Sequence, residues 1–267
     1  MAGRVESMIG VFDSGIGGLT VVKEIFRQLP GYSVVYFGDT AHMPYGNKSP
    51  KAVIRYSLQD AEFLLSKGAK VIVVACNTAS ALAIDTLRRK LKVPLFEVVT
   101  PAVERAAAVT RGRVGVIGTR ATVESGVYAE KMKLAMPRAK VYGQACPLFV
   151  PLVEEGWLKE PETRMVVRKY VSYLKTRKID SLVLACTHYP FLRPLIAREL
   201  PRIRLVDPAR ETAAALKAYL AGHPGTDRRM DRRGSRRFFV SDRTGHFSRL
   251  AADWLGGPID LQEVKLE

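Results

Sequence analysis

Val71-Ile72-Val73-Val74-Ala75-Cys76 runs into Asn77-Thr78-Ala79, and 110 residues on, Ser181-Leu182-Val183-Leu184-Ala185-Cys186 runs into Thr187-His188-Tyr189. Each is a strand-sized apolar run that stops at a cysteine, passes through small polar residues and opens a helical pattern. In a doubly wound sheet, ligands sit at the carboxyl ends of the strands, so both thiols are expected where chemistry happens. Two thiols in equivalent settings, one in each half of the chain, suit a reaction that needs a proton handler on either side of one substrate.

Outward from these segments the chain alternates strand and helix. In the first half, strands are read at 9–12, 33–37, 70–76 and 93–99, with helices at 19–29 and 78–91. A further helix opens at Ser49-Pro50, as N-cap and first-turn proline, and closes at Gly68. The second half repeats the plan. Its strands fall at 113–117, 139–145, 179–185 and 203–206, its helices at 122–135, between 148 and 176, and at 191–199. A helix at 211–221, a strand at 238–240 and a helix at 246–255 finish the chain. Such alternation predicts an α/β protein with mostly parallel sheets and helices on both faces. Ile9-Gly10-Val11-Phe12 resembles Val114-Gly115-Val116-Ile117, 105 residues later, and the cysteine strands repeat at 110. Similar offsets predict two related doubly wound α/β domains that face each other across a cleft.

At 267 residues, with 47% apolar and 25% charged residues, the chain has the composition of a folded globular protein. No apolar run approaches the ~20 residues of a membrane span. Met1-Ala2-Gly3-Arg4-Val5-Glu6-Ser7 lacks the apolar core of a signal peptide. Three cysteines without paired spacing fit reduced thiols, and the expected location is cytoplasmic. The formal net charge is +16, and six arginines fall within 228–237. A solvated loop is the plainer reading of that stretch. A polyanion contact is the other, because excess charge governs association more than fold.

Asp13-Ser14-Gly15-Ile16-Gly17-Gly18 follows the first strand and leads into a helix. It has neither the Rossmann spacing nor a Walker lysine, so no nucleotide loop is inferred. Its small residues allow backbone N–H groups to approach an anion. Asp13 is read either as a turn former or as a carboxylate serving a ligand at the strand end. A helix N-terminus after Cys76 and another after Cys186 are expected to lower the thiol pKa values. Cys186 and His188 lack a second ligand pair for zinc, so no metal is expected. A nucleophilic Cys186–His188 pair remains a rival, although it leaves Cys76 without a purpose. Cys146, before Pro147, reads as structural.

Five segments together resemble the glutamate racemases of the aspartate/glutamate racemase family. They are Gly10-Val11-Phe12-Asp13-Ser14-Gly15-Ile16-Gly17-Gly18-Leu19, Tyr36-Phe37-Gly38-Asp39-Thr40-Ala41-His42-Met43-Pro44-Tyr45-Gly46, Ala75-Cys76-Asn77-Thr78-Ala79, Pro151-Leu152-Val153-Glu154 and Ala185-Cys186-Thr187-His188-Tyr189-Pro190. The resemblance implies cofactor-independent interconversion of L- and D-glutamate for peptidoglycan synthesis. It makes Cys76 and Cys186 the acid/base pair, assisted by Asp13, Glu154 and His188. Asp13, Ser14, Tyr45, Gly46, Asn77, Thr78, Thr187 and His188 would hold the amino acid. It also implies domains at 1–97 plus 212–267 and at 98–211, the last segment returning to the first domain. A homodimer is the expected assembly, and a contact with DNA gyrase is left open. The alternatives are an aspartate or related amino-acid racemase, or a basic nucleic-acid or partner-binding protein on the same fold.

Overall fold

The computed structural model describes residues 7–266, and the reading of 1–6 as free of a signal sequence lies outside them. Strands β1 (Met8–Asp13), β2 (Val34–Gly38), β3 (Ala69–Val74) and β4 (Leu95–Glu97) pair in the order β2-β1-β3-β4, all parallel. Strands β5 (Arg113–Gly118), β6 (Lys140–Ala145), β7 (Ser181–Ala185) and β8 (Arg204–Val206) pair as β6-β5-β7-β8, again all parallel. The two orders are one pattern used twice. Strands β9 (Arg236–Val240) and β10 (Leu261–Glu263) then extend the first sheet beyond β2 to six strands.

The central strands β1 and β7 are buried along their whole length, as strands covered by helices on both faces must be. Their unbroken apolar character is therefore a burial signal as much as a propensity signal. In each sheet the first strand lies between its two successors. The carboxyl ends of β1 and β3, and of β5 and β7, therefore flank a topological switch point, where a crevice opens. Asp13 and Cys76 sit at the first crevice, Thr119 and Cys186 at the second.

Several elements differ from the sequence reading for local reasons. The helix expected at 122–135 breaks into Arg120–Glu124 and Val127–Ala135, because Gly126 adopts φ 71°, a left-handed conformation that glycine tolerates best. The helix expected at 78–91 breaks at Ala83 into Asn77–Leu82 and Ile84–Lys90. The strand expected at 93–99 ends at Glu97, whose carboxylate accepts from the N–H groups of Val99 and Thr100. That cap starts a helix, Val99–Val109, which the sequence reading left out. Strand β10 was also not foreseen; only one of its three residues is buried. Ser49 caps the helix Pro50–Ser66 as expected, accepting from the Ala52 N–H at 3.3 Å.

One apolar cluster reaches from Ile9 and Val73 in the first sheet to Leu182 and Leu184 in the second, through Val98 and Leu216. The sheets thus share part of their core, and this sets how their carboxyl edges meet. Among the described residues no helix is long and apolar enough to cross a membrane.

Candidate active site

Cys76 is the N-cap of the helix Asn77–Leu82, just past β3. Its Sγ accepts from the Ala79 N–H at 3.5 Å and lies 3.6 Å from the Ser14 hydroxyl, to which the thiol donates. Cys186 follows β7 directly, with Sγ 3.9 Å from His188 Nδ1. The other ring nitrogen, Nε2, lies 2.9 Å from Glu154 Oε1. Both thiols line one cavity, together with Ser14, Tyr45, Gly46, Asn77, Thr78, Glu154, Thr187 and His188. Asp13 is fully buried behind Ser14. Its Oδ2 accepts from the Gly15 N–H at 3.2 Å, and Oδ1 has no hydrogen-bond partner among the described residues.

The cavity holds about 30 Å³, room for a water and too little for an amino acid. Contacts between the two rims narrow it. Thr78 Oγ1 lies 3.0 Å from Thr119 Oγ1 and 3.2 Å from Thr122 Oγ1, and the Thr20 hydroxyl, which reaches the Gly17 carbonyl at 2.8 Å, lies 3.1 Å from the Thr187 carbonyl across the rims. Gly17 presses against the opposite rim. A Cβ there would overlap Thr187 Oγ1 and stand 2.6 Å from His188 Cε1. Two small threonine-lined rims and a glycine are what allow two thiols from different sheets to address one small volume.

A family model described as Asp/Glu/Hydantoin racemase matches residues 9–216, a span that contains every one of these site residues. The chain belongs to this family. It is therefore an isomerase. A glutamate racemase from Geobacter metallireducens is 48% identical over 97% of each chain, and one from Aquifex aeolicus is 43% identical over 94% of this chain and 95% of its own. Among solved structures, glutamate racemase RacE1 from Bacillus anthracis superposes with a TM-score of 0.93 at 37% identity, covering 98% of this chain and 99% of its own. A Francisella tularensis glutamate racemase solved with D-glutamate gives 0.91 at 34% identity over 99% of both chains.

The electrostatics of this racemase differ from what its helix termini suggested. Burial pushes Cys76 up to about 12, aided by the Asp13 charge and opposed by the Ala79 N–H and by the Ser14 hydroxyl and N–H. Burial also drives Cys186 well above the ordinary thiol range, the His188 N–H opposing and the Asp13, Cys76 and Glu154 charges adding. The helix N-terminus expected after Cys186 is absent: a single 3-10 turn, Tyr189–Leu192, follows with His188 as its cap, and the α-helix begins only at Arg193. At Cys76, a true N-cap, desolvation outweighs the helix terminus, so both thiols rest protonated. Asp13 too is raised by burial, partly offset by the His188 charge and by the N–H groups of Gly18 and Gly15. Cys146 is buried away from the cavity, and the Tyr189 hydroxyl donates to its carbonyl at 2.9 Å.

Tyr45 is buried, and its hydroxyl lies 2.6 Å from Asp39 Oδ2 and 2.9 Å from Asp60 Oδ2. Burial, then the Asp39 charge, raises Asp60 well above the carboxylate range. A protonated Asp60 can therefore donate to the phenol, which in turn donates to Asp39. This chain braces the loop that carries Gly46 to the rim. Asp39 and Asp60 escaped the sequence reading, as did Thr119, Thr122 and Tyr128. Thr119 had a signal: it follows β5 as Ser14 follows β1, 105 residues later, the offset that relates Ile9 to Val114. The others announce themselves only through contacts distant in sequence.

The arginine stretch is largely engaged within the chain. Arg232 pairs with Asp227 at 2.6 Å and Arg233 with Asp231 at 2.8 Å, while Arg236 lies 4.1 Å from the Phe26 ring centre and Arg237 5.4 Å from that of Phe239. Arg236 and Arg237 belong to β9, not to a loop. Arg228 and Arg229 instead join Lys70 and Lys92 around a groove of about 860 Å³, at the amino ends of β3 and β4 and so on the side away from the thiols.

Proposed function

We propose that the chain is a glutamate racemase that interconverts L- and D-glutamate by proton transfer at Cα, with Cys76 and Cys186 as the two proton handlers. The observation that carries this reading is the meeting of the two thiols, one from each sheet, on a single narrow cavity. Full-length similarity to glutamate racemases supports the substrate. Glutamate has a very weakly acidic α-hydrogen, and inversion removes it from one face and returns it on the other. One base cannot serve both faces, so the pair must start as one thiolate and one thiol.

Both thiols are neutral at rest, so forming the thiolate needs an acceptor for its proton and compensation of its charge. The substrate α-ammonium favours a thiolate beside it, while the two substrate carboxylates oppose one and must be offset by the N–H and hydroxyl donors around them. Asp13 and the His188–Glu154 pair stand where a thiol proton can be held or passed on. The thiolate takes the α-proton, forming S–H as Cα–H breaks, and the electron pair moves toward the α-carboxylate. The opposite thiol then gives its proton to Cα from the other face. Water exclusion strengthens each donor around the developing charge. Ser14, Tyr45-Gly46, Asn77-Thr78 and Thr187 are the groups available to hold the substrate, each on a rim of the cavity.

The reading carries two domains, 1–97 with 212–267 and 98–211, and a cytoplasmic supply of D-glutamate for peptidoglycan. The test is deuterium incorporation at Cα of L-glutamate in D₂O, without added cofactor, while chirality is followed. Deuterium and D-glutamate should appear together. A folded, reduced chain that does neither removes the reading; aspartate is the next substrate to offer.

The groove of Lys70, Lys92, Arg228 and Arg229 favours a second, additional reading, a contact with a polyanion such as duplex DNA or an acidic partner. Binding of a labelled DNA duplex near 50 mM salt should weaken steeply as salt rises. No binding at that salt removes this reading and leaves the first untouched.

A further inference from the structure

Tyr128 stands near the start of helix Val127–Ala135, beside the second sheet, and its hydroxyl donates to Asn77 Oδ1 at 2.6 Å. Asn77 belongs to the other rim, one residue past Cys76. Both side chains are buried, yet Asn77 lines the cavity. The Asn77 NH₂ has no hydrogen-bond partner among the described residues. A side-chain amide has two orientations of nearly equal shape, and its neighbours decide between them. A buried phenol must place its proton, and Asn77 Oδ1 is the acceptor this one reaches. Turning the amide over would set NH₂ against the phenol oxygen and strand the phenol proton, which a buried donor resists.

We propose that Tyr128 is a positioning residue: it holds the Asn77 amide with its NH₂ turned into the cavity, toward a substrate carboxylate. The inverted amide would present a carbonyl oxygen there and repel the carboxylate. The bond also spans the two rims, so the amide is fixed only while they are together. A substrate carboxylate therefore meets a committed donor wherever the rims keep this bond. Burial, then the charge of Glu97, keeps the phenol neutral and so able to donate. The inference rests on the reading of Asn77 as a substrate-holding residue.

Tyr128→Phe keeps the ring and removes the donor. The KM for both enantiomers should rise roughly tenfold, the loss of one charge-assisted hydrogen bond, with kcat changed less than about threefold. In an Asn77→Ala background the same substitution should add less than about twofold, because Tyr128 acts through Asn77. An unchanged KM in Tyr128→Phe overturns the inference, as does an equal rise in both backgrounds. If Tyr128→Phe does not fold, Tyr128→Leu carries the test by the same two measurements: a rise in KM that an Asn77→Ala background abolishes supports the inference, and an unchanged KM, or an equal rise in both backgrounds, overturns it. Failure of the unsubstituted chain to racemise glutamate removes the underlying reading, and this inference with it.

Discussion

Replacing Cys76 or Cys186 by alanine is expected to slow glutamate racemisation by about 10²–10⁴-fold in both directions, the usual worth of a general acid or base. Each variant keeps one thiol, and hence one face of Cα on which a proton can be exchanged. Residual deuterium exchange should therefore favour one enantiomer in Cys76→Ala and the other in Cys186→Ala. Equal exchange of both enantiomers by either variant would sink the two-base assignment. The fold should survive, because each thiol sits on the cavity wall. Thermal midpoints falling by more than about 10 °C would mean that packing was lost as well as a catalyst.

The same raised thiols set the pH dependence of the unsubstituted enzyme. Thiolate is scarce in the free protein at pH 7 because burial holds Cys76 up to about 12 and Cys186 well above the ordinary range. The kcat/KM profile reports the free enzyme, so it should climb with pH between about 7 and 9. The two groups face one cavity and titrate as a pair, so any apparent pKa belongs to both. A flat profile there would mean that the proton to be lost is not held on sulfur.

Gly17→Ala is expected to lower kcat/KM by roughly 10²-fold, since a displacement near 1 Å at reacting groups has that scale of cost. The added methyl overlaps Thr187 and stands 2.6 Å from His188. Neither neighbour yields easily: both are buried, and His188 is tied to Glu154 at 2.9 Å. Relief must come from parting the rims, which moves Cys186 away from Cys76. Stability should fall by only about 1–3 kcal/mol, the ordinary cost of overpacking. Steady-state kinetics beside a melting curve decides; a change in kcat/KM below about threefold would show that the rims tolerate the wedge.

Much of this was legible in the chain. The buried strands wrote themselves as unbroken apolar runs, and the cysteines ended two of them at matching places. Ser49-Pro50 and Gly68 bounded a helix without help from tertiary structure. What stayed hidden depended on depth or on distance. The sign of the thiol shifts is a contest between a helix terminus and desolvation, and sequence does not give depth. Helix Val99–Val109 hid behind the β-branched run Val98-Val99-Thr100, with Glu97 acting as a cap that reads like one more strand residue. The Tyr128–Asn77 bond joins residues 51 apart, and neither type alone advertises the pairing. Thr119 was the one missed site residue within reach, because the repeat offset of 105 from Ser14 points to it.

The repeated strand order has a historical consequence. Each four-stranded unit, β2-β1-β3-β4 or β6-β5-β7-β8, carries one thiol at its switch point, and a single thiol can move a proton on only one side of Cα. A half-length ancestor with this layout could have inverted a substrate only by embracing a second copy of itself. Within one chain the two halves are free to differ: Ser14 stands at one crevice and Thr119 at the matching place in the other, and two extra strands sit on the first sheet only.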